Sequence, residues 1–121
     1  MKATLLAIAA TAAALTASGA DAMPAADDAA AGRGSKVFSR YCVLCHGVAG
    51  DGKGTAAPAY KPPPANLVAS AYPDEYKELI IRKGGQAIGR SPYMPPWGDE
   101  LDEQQIRDLI AYLRRIRARP T

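Results

Sequence analysis

The sequence predicts an all-α fold of about three helices, joined by two long loops rich in glycine and proline. Three observations carry that reading. Apolar residues recur at helical spacing near residues 35–45, 73–83 and 102–117. No stretch alternates apolar and polar residues for long enough to build a sheet. Between the periodic segments lie runs such as Pro62-Pro63-Pro64, which no regular element survives.

Taken in order, the chain opens MKATLLAIAATAAALTASGADA. Lys2 supplies a positive start, Ala3 to Ala17 carry no charge, and small residues follow, with cleavage expected after Ala20 or Ala22. This is the layout of a secretory signal peptide over residues 1–22. An uncleaved anchor would need roughly 20 strongly apolar residues, and this stretch is shorter and built mostly of alanine. Nothing downstream is apolar enough to span a bilayer, so the expected product is exported to the periplasm with no membrane span. About 100 residues then remain, enough for one small domain. Chains of that size have little core to spare and often lean on a metal or cofactor.

Residues 23–32 are polar and Ala-rich without periodicity and read as a flexible lead. The main domain is expected over 33–117, with 118–121 as a tail. A first helix is predicted from Ser35, as its cap, to about Cys45, with Val37, Phe38, Tyr41 and Leu44 at helical spacing. The loop GVAGDGKGTAAPAYKPPPANL follows, and an irregular stretch of that length is usually functional. A second helix should begin at Pro73, favoured at a first helical position. Asp74 and Glu75 suit the positive end of its dipole. Tyr76, Leu79 and Ile80 share one face, and Gly84-Gly85 stops it. The last helix has the sharpest boundaries. Asp102 and Gln105 are spaced as a capping box, and Leu101 can staple onto Ile106. Ile106, Leu109, Ile110, Leu113 and Ile116 form its apolar stripe, and Arg114, Arg115 and Arg117 match the negative end of its dipole. A net charge of +3 is too small, and the aromatics too sparse, for nucleic-acid binding.

The segment RYCVLCHG holds both cysteines and the sole histidine. A thioredoxin-type dithiol belongs after a buried strand in a βαβ unit, and no strands are predicted. Structural zinc wants four ligands, whereas Cys42, Cys45 and His46 give three. A plain disulfide, the ordinary fate of an exported cysteine pair, leaves His46 unexplained. Haem explains all three residues. Cysteines three apart share a helical face, so both thiols can reach one porphyrin, and the next residue projects its imidazole toward the iron. Cys-x-x-Cys-His is the attachment signature.

On these residues the chain resembles a class I (mono-haem) bacterial c-type cytochrome, over essentially the whole mature domain. That family spaces a glycine, an aromatic and the first cysteine at four-residue intervals, as Gly34, Phe38 and Cys42 are here. Its last helix crosses the first with an apolar residue and an aromatic three positions on, matched by Leu109 and Tyr112. The small Gly34 permits a close crossing. PPPANL is similar to the family loop whose proline carbonyl accepts a hydrogen bond from the histidine ring, so Pro64 or Pro63 is expected to serve His46. The resemblance implies a small fold wrapped around one covalent haem c.

The sixth iron ligand follows partly by count. With one histidine, two histidine ligands cannot come from one chain, and Met1 and Met23 lie in the signal and the lead. Met94 remains, in SPYMPPWG, where Pro92, Pro95 and Pro96 stiffen the loop. The family places its distal methionine before a proline in such a loop. Lys53, Lys61, Lys83 or an open site are the alternatives. Tyr93 and Trp97 are expected in the haem pocket, against the porphyrin edge or a propionate. Arg82, Lys83 and Arg90 face propionates or solvent. GVAGDGKGT imitates a phosphate loop, but Gly54 stands where Ser or Thr is needed, and the alternating acids of a calcium loop are missing.

His/Met ligation leaves no open iron position and raises the potential. The expected function is therefore a periplasmic one-electron carrier and not an enzyme. Its partners would be a dehydrogenase or membrane complex as donor and a terminal oxidase or reductase as acceptor. The chain is expected as a monomer, or as the small electron-transfer subunit of a larger redox enzyme. A haem-based sensor with an open distal site is the competing reading.

Overall fold

The computed structural model describes residues 22–117, so the expected signal peptide up to Asp21 and the tail 118–121 lie outside the described residues. Among the described residues there are four helices and no strand. They are α1 (Ala22–Tyr41), α2 (Val43–His46), α3 (Asp74–Lys83) and α4 (Glu103–Ile116). Single 3₁₀ turns at Ala57–Ala59 and Gln86–Ile88 punctuate the two long loops.

The core is the crossing of α1 and α4. Phe38, Ile106 and Leu109 are its most deeply buried side chains, and the Phe38 and Tyr112 rings pack 5.2 Å apart. Gly34 sits at the point of closest approach: a Cβ there would lie 1.9 Å from the Asp108 carbonyl oxygen. Beside the crossing, the buried Asp108 carboxylate accepts two hydrogen bonds from the Arg33 guanidinium, at 2.7 and 2.8 Å, and one from Gln104. The Arg33 pairing, with help from Gln104, holds the Asp108 carboxyl below its ordinary 3.8 against the opposing effect of burial. A depressed carboxylate contributes stability above the unfolded-state value and loses it as pH falls through the folded one. Acid titration of the fold should therefore show a loss of stability below about pH 4. Asp108→Asn should flatten that loss, as read by urea unfolding across the acid range.

The first helix starts well before Ser35, and residues 23–32 are helical rather than a flexible lead. Alanine has the highest helix propensity, and the segment is held by distant partners. Ala31 is buried, and Arg115 on α4 donates to the Asp28 carboxylate at 2.7 Å. Ser35 is accordingly inside α1, its hydroxyl donating to the Gly32 carbonyl instead of capping. The helix also breaks at Cys42, between α1 and α2, where one continuous run to Cys45 was expected.

In α4 the expected capping box is present: Gln105 N–H donates to Asp102 Oδ1 at 2.8 Å, and Asp102 N–H to Gln105 Oε1 at 2.9 Å. Leu101 and Ile106 are both buried, as a staple requires. In α3, Pro73 is the extended cap residue rather than the first helical one. Its buried face is also rotated from expectation, to Lys77 and Ile81, leaving Leu79 exposed. The lysine stem serves as apolar cover there.

Lys77 Nζ has no hydrogen-bond partner among the described residues. Burial holds it below its ordinary value, with Asp74 opposing and Arg117 reinforcing that shift. The unfolded chain then binds the proton more tightly, so stability rises as pH climbs from the folded-state value toward 10.5. Lys77→Met should remove this alkaline slope. At neutral pH it should stabilise the protein by about 1–3 kcal/mol, the cost of an unpartnered buried polar group.

Candidate cofactor site

The site is assembled where α1 runs out into α2. Cys42 and Cys45 are half-buried and not bonded to each other. Burial, and then the neighbouring Cys45, push the Cys42 thiol up to about 12. Reactive dithiols need the opposite, a depressed thiol. Among the described residues, no three His, Cys, Asp or Glu side chains are grouped to hold a metal ion by themselves. The donor set that remains is two thiols and an imidazole at the end of one helix.

The following loop folds back along this segment. Gly52 N–H donates to the His46 carbonyl at 2.8 Å, Gly54 N–H to Cys45 at 3.1 Å, and Ala56 N–H to Leu44 at 3.0 Å. A Cβ on Gly54 would stand 2.2 Å from the Leu44 carbonyl oxygen. The glycines of GVAGDGKGT thus let two backbones touch.

His46 Nδ1 lies 3.0 Å from the Ala65 carbonyl oxygen. A carbonyl only accepts, so Nδ1 carries the proton and the Nε2 lone pair is free for a metal. Burial lowers the His46 pKa, more than the Ala65 bond raises it. The imidazole is therefore kept neutral, as a ligand must be. The partner is Ala65, not the expected Pro64 or Pro63. Leu67 N–H donates to the Gly50 carbonyl at 2.7 Å, and this fixes the loop register so that Ala65 meets the ring. The Pro64 carbonyl lies instead against Gly52, where a Cβ would come within 2.7 Å of it.

Met94 is carried by the loop that leaves α3. Gly85 N–H donates to the Met94 carbonyl at 2.9 Å, Trp97 N–H to Ile81 at 2.8 Å, and Gly98 N–H to Arg82 at 3.2 Å. The loop is thereby tied at Met94 to Gly85, just past α3, and after Met94 to the last turns of α3. Met94, Trp97 and Cys42, each partly buried, all pack against the hydrophobic core.

The remaining expected residues fall into two groups. Trp97 packs on Tyr41, ring centres 5.4 Å apart, at the end of α1 beside Cys42. Tyr93 is half-exposed and pairs with Tyr60 of the histidine-side loop at 5.0 Å, a contact between the two long loops that the sequence did not signal. Lys53, Lys61 and Lys83 are exposed. Arg82 is committed to Glu78 and Glu103, and so is not a free propionate partner. Leu44 and Val48, next to the histidine segment, are also exposed. Donor atoms bordered by apolar surface suit a porphyrin, and two thiols, one at the cap and one within the short α2, suit covalent attachment. Residues 29–113 match the family model described as cytochrome c oxidase, cbb3-type, subunit III.

Proposed function

Because the chain belongs to that family of class I c-type cytochrome domains, and so binds haem c covalently and is not an enzyme by itself, we propose that it is a one-electron carrier with His46 and Met94 as axial ligands. Cys42 and Cys45 provide the two thioether links. His46 offers Nε2, its ring held by the Ala65 carbonyl, which fixes the tautomer and raises ligand basicity. Met94 offers its thioether from a loop pinned to α3. Bound haem supplies a one-electron change at its iron. A methionine ligand favours the reduced state and shuts the distal position against oxygen or carbon monoxide.

The observation that carries this reading is the fastening of the Met94 loop by Gly85 and Trp97, with Met94 and Cys42 both packed against the same core. Carbon monoxide added to the reduced holoprotein tests it. A six-coordinate carrier should leave the ferrous spectrum unchanged, whereas prompt carbon monoxide binding would favour the sensor reading.

Residues 1–22 support export to the periplasm as a cleaved precursor. Among the described residues, no helix is long and apolar enough to cross a membrane. Partners are a dehydrogenase or membrane complex as donor and a terminal oxidase or reductase as acceptor, with weak and transient docking. The matching model describes an oxidase subunit, which favours a second reading, the electron-transfer subunit of a larger enzyme. Co-purification from the native source separates a free monomer from a subunit.

A further inference from the structure

Between its backbone ties at Gly85 and Trp97, the Met94 loop turns through Gln86–Ile88, and from this turn Arg90 reaches back toward the start of α3. Its Nη2 donates a hydrogen bond to the Tyr72 hydroxyl. The guanidinium also lies 5.2 Å from the centre of the Tyr72 ring and 5.8 Å from that of Tyr76. Tyr72 and Tyr76 stack on each other at 4.4 Å with an interplanar angle of 21°. The two rings form a platform on the N-terminal end of α3, and among the described residues Arg90 takes part in no ion pair. Arginine over a stacked aromatic pair is a recurrent cation–π arrangement. Here it joins the loop that leaves one end of α3 to the other end of the same helix. Nearer Met94, Arg90 N–H donates to the Gly85 carbonyl at 2.8 Å, so the side-chain latch and the backbone tie meet at one residue.

We propose that Arg90, seated on the Tyr72–Tyr76 platform, is a positioning residue that holds the Met94 loop closed and so protects the iron–methionine bond from displacement. The inference rests on Met94 being the distal ligand. An outside ligand binds only to the fraction of molecules in which the loop has opened, so its apparent affinity is its intrinsic affinity scaled by that fraction. Weakening the latch enlarges the open fraction and tightens binding of the competitor. A residue that merely supported the fold would change unfolding without changing this competition.

The test is titration of the ferric holoprotein with imidazole, following the iron–methionine charge-transfer band in wild type, Arg90→Gln, Arg90→Lys and Tyr72→Phe. Arg90→Gln should raise the apparent imidazole affinity by about three- to tenfold, from loss of the cation–π contact and its hydrogen bond. Arg90→Lys keeps a cation over the rings and should recover part of the difference. Tyr72→Phe, which keeps the stack and loses only the hydroxyl, should show a smaller rise and serves if Arg90→Gln misfolds. A wild-type protein without the band removes Met94 from the iron, and the latch falls with it. With the band present, Arg90→Gln and Tyr72→Phe affinities equal to wild type overturn the latch alone and leave Met94 as the ligand.

Discussion

Gly34→Ala should destabilise the holoprotein at or beyond the upper end of the roughly 1–3 kcal/mol typical of overpacking. The added methyl would stand 1.9 Å from the Asp108 carbonyl oxygen, 2.4 Å from its carbon and 2.9 Å from the Leu109 nitrogen. All three are backbone atoms, so no side-chain rotation relieves the clash and the two helices must move apart. That separation would loosen Phe38 from Leu109 and Tyr112 and pull Arg33 away from Asp108. Domains of this size are stable by only about 5–15 kcal/mol in total, so folding and haem retention should both suffer. Gly32→Ala supplies the control, two residues away on the same helix. A Cβ there meets nothing within 4 Å, and alanine in place of glycine inside a helix is worth about 0.5–1 kcal/mol. One substitution type on one helix should thus give opposite signs, measured as shifts in urea midpoint.

Met94→Leu should lower the reduction potential by a sizeable fraction of the ~0.8 V range over which axial ligands tune haem. Leucine approximates the packing of a partly buried methionine against the core, so the packing contribution to stability should change by less than about 1.5 kcal/mol. What is lost is the sulfur, the soft donor that favours the reduced state. Met94→Ala should show the same drop in potential, with an added loss of packing. If Met94 only filled the core, the potential would hold in both variants, and only Met94→Ala would lose stability. Redox titration beside urea unfolding of the two variants separates the cases.

Much of this architecture could be read locally. The boundaries of α4 follow from Asp102, Gln105, Leu101 and the terminal arginines, all neighbours along the chain. The helix crossing was expected only through the family resemblance that Gly34, Phe38, Leu109 and Tyr112 carry. The start of α1 was not legible, because its anchors, Asp28 to Arg115 and Arg33 to Asp108, join residues far apart in sequence. The buried face of α3 was misplaced because Lys77 does its covering with its methylenes, which a polar letter conceals. The carbonyl that holds His46 belongs to Ala65 and not to Pro64. A backbone acceptor leaves no mark on residue identity, and the choice was made by the Leu67–Gly50 hydrogen bond. The Tyr60–Tyr93 pair escaped notice for a similar reason, since only the folded loops bring the two rings together.

The most direct measurement is the absorption spectrum of protein matured with the haem-attachment machinery, oxidised and reduced, for wild type and Met94→Ala. His46/Met94 ligation predicts a low-spin ferric wild type with a charge-transfer band from the iron–methionine bond, and the loss of that band in the variant. A high-spin wild type, or a band that the substitution leaves unchanged, would contradict it.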